Sequence, residues 1–164
     1  MKEDIQYRLR RINKKDIPVL YELLKESLSE EFTSVYDTKL PSFKKSEKFV
    51  LDFLEINKTQ LQKNKTEKIR SKKQRIHEFD KWYVILDKKN QITGQVFITK
   101  NNFLGYTVFK KFQDRGIAVK GIKLIMKLHP RKKYFVMIHH KNEKSKHIAN
   151  KLGFNLKGYV LEKN

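Results

Sequence analysis

Phe103-Leu104-Gly105-Tyr106-Thr107-Val108-Phe109 leads into Lys110-Lys111-Phe112-Gln113-Asp114-Arg115-Gly116, and Ile117-Ala118 then opens a helical pattern continued by Ile122, Ile125, Met126 and Leu128. The stretch reads as strand, turn and helix, stopped by Pro130. A helix start exposes unpaired backbone N–H groups and the positive end of the helix dipole, which favours a phosphate. Gly116 removes the Cβ that would obstruct close approach, and Ala118 is nearly as small. Lys110, Lys111, Arg115, Lys120 and Lys123 surround the turn with positive charge. The G-x-x-x-x-G-K-S/T pattern of a Walker loop does not occur. The turn also has too few glycines for a dinucleotide-binding fingerprint.

Outward from this turn, alternation and helical spacing divide the rest of the chain. Ile5 to Ile12 alternates apolar and polar as a half-buried strand, and Asn13 or Asp16 can cap the helix that follows. That helix carries Ile17, Leu20, Tyr21, Leu24 and Leu28, with Pro18 in its first turn. Glu30 to Ser42 reads as a loop, and Phe49, Val50, Phe53, Leu54 and Leu61 mark a second amphipathic helix. Trp82–Leu86 and Ile92–Thr99 are strands joined by the polar turn Asp87 to Asn90, and Asn101-Asn102 turns into the strand at Phe103. Tyr134–Ile138 is an almost continuous apolar run, the pattern of a strand buried on both faces. Glu143 to Leu152 is a last helix, and Leu156 to Leu161 a closing strand. The order β-α-α-β-β-β-α-β-α-β predicts an α/β (α+β) fold with helices on both faces of a mixed sheet.

The chain has 164 residues, which suits one domain spanning 1–164. A hydrophobic content of 38% provides a core, and a domain near this size hides about 70% of its unfolded surface, so it needs no staple. The absence of cysteine removes disulfides, thiolate nucleophiles and cysteine-based zinc sites. No apolar run approaches the roughly 18 residues of a membrane span, and the charged N-terminus lacks a signal-peptide pattern, so the expected setting is cytoplasmic. The net charge is +20, mostly from lysine. It points to anionic partners, or reflects A/T-rich coding spread over a solvated surface. Eight Lys and Arg residues lie between Asn57 and Arg75 with Glu67 the only acid, so 57–76 reads as a basic helical extension or connector. His77, His129, His139, His140 and His147 have no metal-ligand spacing, and adjacent His139-His140 would face opposite sides of a strand. No metal is expected.

Gln113-Asp114-Arg115-Gly116-Ile117-Ala118 resembles the Q/R-x-x-G-x-G/A signature of the GNAT acyltransferases. Asn142-Glu143-Lys144-Ser145 followed by Lys151-Leu152-Gly153-Phe154 is similar to that family's N-x-x-S and K-L-G-F segment. Leu9-Arg10-Arg11-Ile12 with Asp16, and Ile92-Thr93-Gly94-Gln95-Val96, resemble its ribosomal-protein acetyltransferase branch. The resemblance covers nearly the whole chain outside 41–79. It implies a mostly antiparallel central sheet of six to seven strands and acetyl-CoA as co-substrate. Residues Gln113, Asp114, Arg115, Gly116, Ile117 and Ala118 would then bind its pyrophosphate through backbone amides. Tyr106, Thr107 and Val108 would pair with the pantetheine arm as an added strand. Asn142 would contact that arm, and Ser145 would lie near the sulfur.

The implied reaction is direct attack of a primary amine on the thioester in a ternary complex, the amine being a protein N-terminus, a lysine or a small molecule. The site must orient both reactants, take a proton and stabilise an oxyanion. Backbone N–H groups near Val108 are the oxyanion candidates. Glu30, Glu31, Glu78, Asp80 and His140 are candidates for the base, unless water relays the proton. Ala149 stands where many family members carry a tyrosine acid, leaving Ser145 as the nearest hydroxyl and His147 as a weaker choice. The segment from Tyr21 to Phe79 would wall the acceptor cleft. The charge favours an acidic or ribosome-associated acceptor. A polyamine or aminoglycoside acceptor would require a locally acidic cleft. The alternative function is a basic nucleic-acid- or ribosome-binding module on an inactive scaffold of this kind. The chain would act as a monomer or a homodimer.

Overall fold

The computed structural model describes residues 7–30, 39–62 and 79–158. Strand β1 (Arg8–Arg11) passes through a 3-10 turn (Lys14–Asp16) into α1 (Ile17–Ser29). Then come α2 (Phe43–Gln62), β2 (Phe79–Leu86), β3 (Ile92–Thr99), β4 (Leu104–Val108), α3 (Ile117–Leu128) and α4 (Glu143–Lys151). The four strands form one antiparallel sheet in the order β1-β2-β3-β4. Its two tight connections turn at Asn90 and Asn102, both at φ 64°, a conformation that asparagine tolerates better than most side chains. Among the described residues, no helix is long and apolar enough to cross a membrane.

Burial on both faces of the sheet follows from residues 82–86 of β2, which are all large and apolar. Tyr83 and Ile85 join Val96, Ile98, Leu104, Ile117, Ile122 and Ile125 in one core, under α3 and α4. Trp82, Val84 and Leu86 point the other way, into a second core with Ile17, Leu20, Val50 and Phe53 from α1 and α2. The predicted stripe on α1 omits Leu23, which the structure buries completely, while Leu24 and Leu28 are only half-buried.

Asn13 and Asp16 together cap the 3-10 turn, whereas α1, whose N-cap is Asp16, receives no side-chain cap bond from it. Asn13 Oδ1 accepts from the Lys15 N–H at 2.9 Å, while Asp16 Oδ2 accepts from the Asn13 N–H at 2.8 Å. Arg10 grips the same Asp16 carboxylate through two nitrogens, at 2.7 and 3.0 Å. Asp16 is nearly fully buried, so this pairing fixes β1 to the start of α1.

The strand count departs from the expected six to seven: the described residues form four. The apolar run Tyr134–Ile138 makes a single parallel bridge, Phe103 to Phe135. Phe135 and Met137 are 40% and 43% exposed, so the run is not buried on both faces. An apolar run has no period to distinguish a paired strand from an extended wall facing a cavity. Residues 156–158 of the predicted closing strand have no strand pairing, Leu156 is exposed, and 159–161 lie outside the described residues. The same holds for residues 5–6, Glu31, Glu78 and the basic stretch 63–76.

Candidate functional site

The bridge at Phe103–Phe135 positions the site. Across it the Leu104 N–H donates to the Phe135 carbonyl at 2.7 Å, and the Phe135 N–H donates to the Asn102 carbonyl at 3.0 Å. Beyond the bridge, β4 and residues 136–138 form separate walls of a cleft of about 1130 Å³. Backbone groups alternate sides along a strand. Since the Leu104 N–H points across the gap and the Phe109 N–H points back to Thr93 on β3, the N–H groups of Tyr106 and Val108 face the cleft. They form an open strand edge that can receive an extended ligand rich in amides.

The cleft ends at the turn before α3. Asp114 at φ 60° and Gly116 at φ 73° are both left-handed, on either side of Arg115. Gly116 caps α3 and, having no side chain, gives no cap hydrogen bond to the N–H groups of the first turn. The Lys120 N–H returns to the Gly116 carbonyl at 3.0 Å, leaving the donors of Ile117, Ala118 and Val119 ahead of the helical ladder. A Cβ built on Gly116 meets nothing within 4 Å, so the space above the turn is open. These are the physical requirements of an anion cradle.

Most of the predicted site residues line this cleft: Tyr106, Thr107, Val108, Gln113, Asp114, Gly116, Ile117, Ala118, Asn142, Ser145, Glu30 and His147. Arg115 does not; its guanidinium donates to the Lys111 carbonyl at 3.0 Å and lies 5.5 Å from the Phe112 ring centre. Lys111 and Lys120 also lie over rings, of Phe112 and Tyr7. Asp80 lies outside the cleft lining, paired with Lys81 and Arg131. His139 and His140 stack on each other at 4.6 Å in a turn instead of pointing apart along a strand. Among the described residues, no group of three or more His, Cys, Asp or Glu is placed to hold a metal.

Gln113 ties three elements together over the cleft. Its Nε2 donates to Glu30 Oε1 at 3.0 Å and to the Val108 carbonyl at 3.4 Å, while its Oε1 accepts from Lys144 Nζ at 3.2 Å. Glu26, in the last turn of α1 before the extended C-cap residue Glu30, accepts from the Lys110 N–H. Asn142 caps α4, its Oδ1 accepting from the Ser145 N–H at 2.9 Å, which orients Ser145 at the cleft wall. Ala149 is buried one turn further along. Glu26 and Phe79 line the cleft within the segment 21–79 expected to wall it, though neither stands out by its sequence, and Phe97 of β3 lines it outside that segment. The rings of Phe79 and Phe97 pack together at 4.5 Å.

No family profile matches the chain, and no curated relative does. Solved structures are similar. One is RimL, a ribosomal L7/L12 alpha-N-protein acetyltransferase in complex with coenzyme A. It is 17% identical at a TM-score of 0.64, over 93% of this chain and 81% of that one. Another is a GNAT superfamily phosphinothricin acetyltransferase from Sinorhizobium meliloti in complex with acetyl-CoA, 16% identical at 0.66, over 93% and 76%. The chain has the GNAT fold. A third structure with this GNAT fold, a spermidine N-acetyltransferase SpeG chimera from Vibrio cholerae and hSSAT, is 16% identical at 0.66, over 97% and 86%.

Proposed function

We propose that this protein is an acetyl-CoA-dependent N-acetyltransferase acting on a primary amine, and that residues 1–164 work as one acyltransferase domain. The observation that carries this reading is the cleft itself, in which an open β4 edge leads to the uncapped helix start at Gly116. A nucleotide with a diphosphate and an amide-rich arm matches those two features in order. Neighbours of the same fold hold coenzyme A or acetyl-CoA, which supports the match.

Acetyl-CoA supplies an activated thioester. The donors of Ile117, Ala118 and Val119 hold its diphosphate, and the Tyr106 and Val108 backbone groups align its arm. The Val108 N–H stabilises charge on the carbonyl oxygen as the amine attacks. Glu30, fixed by Gln113, takes the amine proton directly or through water. Asn142 holds Ser145 near the thiol end.

The charged side chains lining the cleft are Glu26, Glu30, Asp114 and Glu143 against Lys144 and Lys151, with His147 beside them. A chain with net charge +20 thus keeps most of its lysines out of this cavity. That local balance satisfies the condition for a cationic acceptor and favours an amine that arrives as an ammonium ion.

Acetyl-CoA at a hundred times its Kd should stabilise the protein by about 2.7 kcal/mol, read as a rise in Tm. Acetylation of an amine panel should follow in the same samples. Absence of any shift, together with salt-sensitive RNA binding, would instead establish the nucleic-acid-binding alternative.

A further inference from the structure

Gly105 lies inside β4, and a glycine within a strand weakens pairing unless another group needs the space. It is directly opposite Phe97 in the β3–β4 register. A Cβ built on Gly105 would collide with the tip of the Phe97 ring, so that ring occupies the place of the missing side chain. Phe97 thus reaches from β3 onto β4, and both residues line the cleft. Neighbouring rings hold it there. Phe97 packs on Phe79 at 4.5 Å, and Phe79 stacks on Trp82 at 5.1 Å, in the core shared with α1 and α2. Phe97 and Phe79 are half-buried and line the cleft, so ring surface remains for a further partner.

The two ends of this side of the cleft differ in charge. Glu30 accepts from Gln113, which also donates to the Val108 carbonyl, and Glu26 accepts from the Lys110 N–H. Both carboxylates therefore stand at the C-terminal end of β4. Around Gly105 the described lining residues are Phe79, Phe97, Thr99, Asn101 and Phe103, none of them charged. From Val108 back to Gly105 is about 10 Å of strand. Allowing about 5 Å between stacked ring centres leaves roughly 5 Å between an ammonium at Glu30 and a ring on Phe97. That is roughly the span of a two-carbon linker.

We infer that Phe97, seated by Gly105, determines acceptor specificity, and that the acceptor is a primary amine carrying an aromatic ring on a short linker. This rests on the acetyltransferase reading above and names the acceptor class within it. The ammonium end is drawn to Glu26 and Glu30, while the ring covers Phe97. A linear polyamine fits less well, because its distal cation would lie at the end where the described lining holds no carboxylate.

Acetylation of 2-phenylethylamine, 2-cyclohexylethylamine and spermidine by the full chain tests this, with kcat/KM measured for each. The cyclohexyl compound matches the phenyl one in length and bulk but lacks the flat aromatic face. The unaltered protein should prefer the phenyl amine over the cyclohexyl one by about fivefold to tenfold, as expected of an aromatic pair, and should turn over spermidine more slowly than either. Phe97→Leu keeps an apolar side chain and removes the ring. It should cut the phenyl preference to below about twofold, mostly through KM, while acetyl-CoA still raises its Tm. Gly105→Ala, which pushes the ring off β4, should erode the same preference; should it not fold, Phe97→Leu decides. Equal turnover of the two ring amines, faster turnover of spermidine, or a phenyl preference that survives Phe97→Leu overturns the proposal and leaves the acetyltransferase reading intact. So does a Tm rise with acetyl-CoA and no acetylation of any of these amines. An unaltered protein that shows neither that rise nor any acetylation overturns both.

Discussion

Gly116 combines two demands on one residue. Its φ of 73° is left-handed, and the space where a Cβ would project is empty. A β-branched side chain there adds backbone strain of about 1–2 kcal/mol and also occupies the cradle. Gly116→Val should thus fold with a modestly lower Tm and lose most of the Tm rise produced by acetyl-CoA. A full ligand-induced rise in that variant would remove the turn from the binding site. His129 presents a different residue-level test. Burial, followed by Lys81 and Arg11, lowers its pKa below 6.5, and its Nε2 lies 2.7 Å from the Tyr83 hydroxyl. The unfolded chain then binds the proton more readily, so stability is complete above about pH 6.5 and falls as pH drops towards the folded value. Tm measured from pH 7.5 to 5 should decline over this window. His129→Gln should flatten that part of the decline.

The elements most legible in the sequence were those with a strict period or a defined turn. β1, β2, β3 and β4 lie where alternation and Asn turns placed them, and α3 begins one residue after Gly116. The open helix start at Gly116 was legible for the same reason, since backbone donors there depend little on side-chain identity. The wall at 134–138 was not, because an apolar run reads alike whether it pairs or faces a cavity. Nor was the burial of the Tyr106 hydroxyl legible, since it is set by three-dimensional packing. Gly94 shows how a single position can control an element. A Cβ there would sit 2.3 Å from the Thr107 carbonyl oxygen, which belongs to the backbone of β4. Gly94→Ala must push β4 away from β3 or fail to form the pair. It should lower stability by about 3 kcal/mol or more, measured by urea unfolding. A cost under about 0.5 kcal/mol would mean that the two strands separate readily.

At the scale of the whole molecule, a net charge of +20 makes the folded state repel itself. Raising ionic strength from about 0.01 to 0.15 M shortens the screening length from roughly 30 to 8 Å, so Tm should rise with salt in the absence of ligand. A Tm independent of salt would show that the surplus charges lie too far apart for their mutual repulsion to affect stability. The parting of β4 from residues 136–138 has a further consequence. An unoccupied strand edge is a template on which another chain can add, the first step of edge-to-edge aggregation. Filling that edge with a ligand would therefore act as a molecular chaperone for the protein's own solubility, and the surplus of lysine would keep copies apart in the intervals when the edge is bare.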